Sequence, residues 1–168
     1  MATGTLITAE QYLAMHFDQW EPELVHGEVV ERPMPNRLHA KIQHLLELRL
    51  TGAGDCYPGL RLRLNRDTIR VPDISVFAEP QHELMPSNPP LIIVEVISPD
   101  DRHQDLVLKL EQYRKWGVTY VWAVEPELEK FYAYGSHGFA EVDHFAAPEA
   151  GFQITAAELF AAAGGQPR

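Results

Sequence analysis

Cysteine is almost missing from this chain: Cys56 stands alone among 168 residues. A single thiol excludes an intramolecular disulfide framework and any zinc site built from several cysteines, and it fits a reducing compartment. Positive charge is scarce as well. Lys and Arg number 14 against 24 Asp and Glu, for a formal net charge of -10. That balance argues against a protein that coats nucleic acid non-specifically, while leaving room for a local basic surface. No apolar run reaches the length of a membrane span, so no membrane partner is expected. Met1-Ala-Thr-Gly-Thr5 lacks the basic and apolar regions of a signal peptide, which points to a cytoplasmic location. There is no glycine-rich phosphate loop, no glycine elbow around Ser98, no repeat, and no low-complexity tract beyond an alanine-glycine tail.

What is present is ordinary for a soluble globular protein: 45% hydrophobic and 23% charged residues, in a length that supports a real core. One domain spanning residues 1–168 is expected.

The chain is organised around Leu91-Ile-Ile-Val-Glu95-Val-Ile-Ser98, bounded by Pro89-Pro90 and Pro99-Asp100-Asp101. Eight residues, mostly β-branched or leucine, read as a buried strand. Glu95 shares its strand face with Ile93 and Ile97. A carboxylate in apolar surroundings is costly unless it is paired, protonated or bound to a metal. A structural ion pair resolves that cost, and so does a functional site.

Taken in order, Thr8-Ala-Glu-Gln11 forms a capping box that opens a short helix through Tyr12, Leu13 and Met15. Glu23 to His26, Gly27, and Glu28 to Glu31 read as a β-hairpin or a bent strand pair, with Gly27 permitting the turn. A longer helix starts at Asn36, with Leu38, Ile42, Leu45 and Leu46 on one face, and Thr51-Gly-Ala-Gly54 stops it. Residues 56–77 look like strands: Leu60, Leu62 and Leu64 alternate with Arg61 and Arg63, Asn65-Arg-Asp67 turns, and Thr68 to Phe77 continues as a second strand. Val71, Asp73, Ser75 and Phe77 share one face of it and Ile74 and Val76 the other, and Pro72 suggests a strand start, an edge or a bulge there. Residues 79–90 are a proline-rich loop. Asp100 or Asp101 caps a helix that reaches Trp116 and ends at Gly117. Strands follow at 120–124, 130–134 and 139–145, with another at 152–154, and a second capping box opens at Thr155. The unit strand–helix–strand at 91–124 implies a parallel pair, and the hairpins imply antiparallel ones. The fold class is therefore a mixed α/β (α+β) sheet.

Asp73 and Glu95 sit on two apolar strands that could be neighbours. Two carboxylates pointing the same way suit a hard divalent cation such as magnesium or manganese, completed by water and a main-chain carbonyl, for which Val96 is adjacent. Lys109, 14 residues after Glu95, shares a helix face with Asp105 and Tyr113. It reads either as a member of that site or as half of an exposed Asp105–Lys109 pair. Glu23 and Glu28 add acids near a turn, where most glutamates are simply solvated. Arg61, Arg63, Arg66 and Arg70 place four cations within ten residues. They read as a strip for the DNA backbone or as a solvated sheet face. His39 and His44, five apart, lack a metal spacing, and His39, His103, His137 and His144 read as surface or satisfied histidines. Trp116, Trp122, Tyr113 and Tyr120 read as core.

Pro72-Asp73, Ile92 to Pro99, Asp105-Leu-Val-Leu-Lys109 with Tyr113, Gly117-Val118 and Tyr120 to Pro126 together resemble the Uma-two family of putative restriction endonucleases. Glu23 to Glu28 and His39 resemble its N-terminal region, so the likeness covers about residues 8–130. That family belongs to the PD-(D/E)XK nuclease superfamily. The resemblance implies a restriction-endonuclease-like fold, a central mixed sheet flanked by helices, that hydrolyses phosphodiester bonds with magnesium or manganese. It implies Asp73 and Glu95 as metal ligands and Lys109 as the superfamily lysine moved to the next helix, since Ile97 occupies its usual place. Glu23 or Glu28 would be the accessory acid. His26 stands where the family often has aspartate, and Asp101 where it often has a small hydroxyl residue.

Three readings follow: a metal-dependent DNA endonuclease, a catalytically idle nuclease fold that binds nucleic acid or a protein, and a two-carboxylate hydrolase such as a glycosidase. The first is favoured, with DNA as partner and a homodimer as the simplest way to cut both strands.

Overall fold

The computed structural model describes residues 5–18 and 20–164. The first four residues, Gln19 and the last four of the single-domain expectation lie outside the described residues, and with them most of the Met1–Thr5 stretch and the end of the alanine-glycine tail. The strand predicted at residues 91–98 is β7, Ile92–Val96, one of the two central strands of a mixed six-stranded sheet. Its flanking prolines hold it to five residues, and all five are buried. It pairs in parallel with β8, Tyr120–Glu125, and antiparallel with β6, Ile74–Phe77. On one side β8 leads to β9, Lys130–Gly135, and β10, Gly138–Val142; on the other, β6 leads to β3, Asp55–Pro58.

Helices cover both faces of this sheet. On one lie α2, Arg37–Leu50, and α4, Ala156–Ala162, together with the hairpin β11, His144–Ala147, and β12, Phe152–Thr155. Ile42, Leu46 and Leu50 recur at one turn's spacing and pack on Ile74, Val76, Ile92, Val94 and Val96. On the other face α3, His103–Trp116, packs Leu106, Leu110 and Tyr113 against Ile93, Val121 and Ala123. The alternation along β7 therefore decides the site. Even positions face α2, and Ile93 with Glu95 faces α3.

Beside α3 stands a four-stranded sheet in the order β2, β1, β5, β4, built from Glu28–Val30, Glu23–Val25, Ile69–Arg70 and Leu62–Arg63. Helix α1, Ala9–Leu13, closes it by packing Ala9 and Tyr12 on Leu24 and Ile69. The hairpin turn between β1 and β2 places His26 at φ 51 and Gly27 at φ 82, the pair of positive angles that a two-residue hairpin turn of this hand demands. A side chain on Gly27 would also meet Ile7 and Leu6 at 3.1 Å.

The mixed sheet flanked by helices agrees with the fold expectation. Both capping boxes form, at Thr8–Gln11 and at Thr155–Glu158, and Gly117 ends α3 at φ 118. Three local expectations change. The strand expected over 68–77 is two strands, β5 and β6, in different sheets, with Val71-Pro72-Asp73 crossing between them. Pro72 has no N–H for a ladder, so pairing breaks there and Asp73 precedes the strand instead of lying within it. The segment 139–145 likewise divides into β10 and β11. Finally, α3 begins after Arg102 with no side-chain cap, because the Asp101 carboxylate accepts the Ser98 N–H at 2.7 Å instead.

Ser75, fully buried on β6, is the one buried polar side chain among the described residues whose oxygen has no hydrogen-bond partner. Such a hydroxyl costs about 1–3 kcal/mol of desolvation. Ser75→Ala is therefore expected to raise the unfolding free energy by about 1 kcal/mol, read from the urea midpoint at unchanged slope. A lower midpoint would show that the hydroxyl has a partner after all.

Candidate active site

Asp73 and Glu95 come together across the β6–β7 pair. Ile74 opposes Val94, so one step further out the register brings Asp73 opposite Glu95. Asp73 is held on every side. Its Oδ2 accepts the Val96 N–H at 2.7 Å, its Oδ1 meets His39 Nε2 at 3.2 Å, and its carbonyl accepts from Gln43 at 2.8 Å. His39 Nδ1 in turn meets Ser98 Oγ at 3.0 Å. Burial lowers the proton affinity of His39, but the Asp73 hydrogen bond and the surrounding carboxylates prevail and raise it.

Glu95 faces α3, where Lys109 and Tyr113 lie one turn apart. Tyr113 donates to Glu95 Oε1 at 2.7 Å, and Lys109 Nζ lies 2.9 Å from the same oxygen. Burial pushes Glu95 up to about 7; Lys109 opposes this, while Asp73 and Glu23 add to it. Desolvation works against the Lys109 charge, yet Glu23 and Glu95 raise its proton affinity above the ordinary lysine value. Lys109 is thus a buried cation shared by two carboxylates, with Glu23 Oε1 at 3.1 Å. No ion pair joins it to Asp105 among the described residues.

Glu23 and Glu28 part company. Glu23 is 4% exposed on β1, whereas Glu28 is exposed on the edge strand β2 and only borders the same cleft. Glu23 also accepts the Val71 N–H at 2.8 Å and Arg70 Nη1 at 2.7 Å. Burial raises its pKa, but Lys109 and Arg70 outweigh burial and hold it at about 2. Gln112, three residues after Lys109, accepts from Arg70 Nε at 2.9 Å and Nη2 at 2.6 Å.

Of the four arginines of the predicted strip, Arg70 turns inward, away from solvent. Arg70 is 5% exposed and belongs to the Glu23 network. Arg61 pairs with Glu21 at 3.1 Å, Arg63 with Glu10, and Arg66 is exposed in the turn before β5. Of the four, Arg70 alone borders the cleft. Sequence reasoning carried His39 only as a feature of the resemblance and a surface or satisfied histidine, and missed Ser98, Gln112 and the inward role of Arg70. A histidine five residues from the next one carries no metal spacing, and only the approach of α2 to β6 makes it a neighbour of Asp73.

Glu23, His39, Asp73, Glu95, Ser98 and Lys109 line a cleft of about 410 Å³ that runs from β7 and α3 to the residues after β2. Among the described residues no three His, Cys, Asp or Glu side chains converge as a ready metal cage. The donor set is instead two carboxylates, with the Val96 main chain beside them. Both contacts on Glu95 fall on Oε1, leaving Oε2 without a partner among the described residues. Hard oxygen donors with one oxygen open fit magnesium or manganese.

A family model, Uma2, described as putative restriction endonuclease, matches residues 9–153. The chain belongs to the Uma2 family. A crystal structure of a putative nuclease belonging to DUF820 from Anabaena variabilis is similar in fold, with a TM-score of 0.79 and 22% identity, covering 94% of this chain and 99% of that one. No curated protein matches the chain. Asp73, Glu95 and Lys109 all fall inside the segment that aligns with Uma2. Among the described residues no helix is long and apolar enough to cross a membrane.

Proposed function

We propose that this Uma2 protein is a divalent-metal-dependent endodeoxyribonuclease in which residues 1–168 form one nuclease domain. The observation that carries the reading is the meeting of Asp73, Glu95 and Lys109 in one cleft. They come from a strand entry, a strand and a helix that share no local spacing. Asp73, Glu95 and the Val96 carbonyl would hold magnesium or manganese. When bound, such an ion polarises a phosphate and lowers the pKa of a coordinated water.

The chain's own residues supply the rest. The Val96 N–H and His39 fix the Asp73 carboxylate, and Tyr113 fixes that of Glu95. Such outer partners orient ligands and sharpen affinity. The Lys109 ammonium offers positive charge where a phosphate gains negative charge, or holds an attacking water. Glu23, locked by Arg70, keeps Lys109 in place and is the accessory acid in preference to Glu28. A homodimer in a reducing cytoplasm is the setting proposed, because two sites are the simplest way to cut both strands.

Supercoiled plasmid incubated with magnesium or manganese is expected to be nicked or linearised, with chelator and Asp73→Asn each abolishing the reaction. Cleavage that survives Asp73→Asn would refute this site. Metal and DNA binding without cleavage under any divalent ion would favour the idle nuclease fold.

A further inference from the structure

The cleft presents an electrostatic problem for a polyanionic substrate. Eight Asp and Glu side chains line it against four Arg and Lys. Two of those four are already neutralised: Arg70 by Glu23, and Lys109 by Glu23 and Glu95. Arg32 and Arg102 are the other two, and among the described residues neither has a carboxylate partner. The arginines of the 61–66 segment do not border the cleft, and two of them are paired to Glu21 and Glu10.

We propose that Arg32, just after β2, and Arg102, at the head of α3, are the phosphate-contacting residues through which DNA docks on this cleft. The inference rests on the nuclease reading and deepens it by assigning the substrate contacts. Arg32 is preoriented, since its guanidinium sits over the Trp20 ring at 5.3 Å from the centroid. A planar guanidinium stacked on an aromatic face keeps its outer N–H groups for a phosphate oxygen. Arg102 precedes the first turn of α3, a position whose side chain is exposed at the cleft wall. Both lie on the lining that also contains Asp73 and Glu95, so phosphates flanking the scissile one fall to them by position.

The test is the salt dependence of binding to a short fluorescent duplex, measured in chelator and again in calcium. Each lost phosphate contact lowers the slope of log affinity against log salt by about 0.9. Arg32→Ala with Arg102→Ala is therefore expected to flatten the native slope by roughly two, and Arg61→Ala with Arg63→Ala to leave it unchanged. All four side chains are at least partly exposed, so circular dichroism and melting should show native folds. An unchanged slope in the Arg32/Arg102 pair, with native binding retained, overturns this inference alone. A slope flattened only by the Arg61/Arg63 pair overturns it in favour of that strip. Absence of DNA binding by the native chain in both buffers overturns it together with the nuclease reading.

Discussion

Glu95→Gln is expected to abolish metal-dependent cleavage while raising the thermal midpoint of the chelated protein in mildly alkaline buffer. The two halves share one cause. Glu95 is 6% exposed, and burial lifts its pKa from the ordinary 4.5 to about 7. A raised carboxylate contributes stability that is present in full below 4.5 and is lost as pH rises through about 7. Above that range the folded protein carries a buried charge that the unfolded chain would solvate more cheaply. Glutamine keeps the shape and the acceptor for Tyr113 but never ionises. The melting gain should thus appear only above neutrality and vanish in acid. Cleavage should fall about a thousandfold or more, the effect of losing roughly 4 kcal/mol of charge stabilisation. Such opposition between stability and activity is a mark of a functional site. A variant that melts lower at every pH, or that still cleaves, would remove Glu95 from the centre of the site.

Glu23 behaves in the opposite sense. Lys109 and Arg70 hold it at about 2, so its contribution is present above 4.5 and is lost as pH falls through about 2. Chelated protein should therefore be most stable in weak acid as far as these two groups decide it.

Lys109→Met should cost about 3–5 kcal/mol in the absence of metal, because it strands the Glu95 charge in the interior and leaves Glu23 with Arg70 as its one cation. For a chain of this size that lowers the melting midpoint by roughly ten degrees. Manganese should then restore more stability to the variant than it adds to the native protein. Lys109 and a divalent ion neutralise the same Glu95 carboxylate, and a ligand that binds only the folded state stabilises it by mass action. Adding Glu95→Gln should recover part of the loss without metal, a coupling that a double-mutant cycle measures. An unchanged midpoint in Lys109→Met would mean that the ammonium pairs in solvent with Asp105 after all.

Much of the fold was legible locally. Prolines bound β7, the period-two alternation put Glu95 on the face opposite Ile92, Val94 and Val96, and two capping boxes and Gly117 set helix ends. These are short-range steric and hydrogen-bonding rules, which act the same way in any context. The family resemblance was legible too, and the match over residues 9–153 bears it out. Legible in kind but not in partner were Asp73, Glu95 and Lys109: residue type and flanking pattern singled them out, while nothing in the spacing said that they meet.

Tertiary structure alone decided the rest. Glu23 and Glu28 are equivalent acids on one hairpin until pairing of β1 with β5 sets Glu23 beside Arg70 and turns it to Lys109. Arg70 reads as one more surface cation until Pro72 splits the strand and leaves it under α3. His39 becomes a neighbour of Asp73 only when α2 lies across the sheet. Sequence determines which residues are able to carry charge into a core and which elements present them. Which charges then neutralise one another depends on register and on helix approach, and those depend on the packing of segments dozens of residues apart.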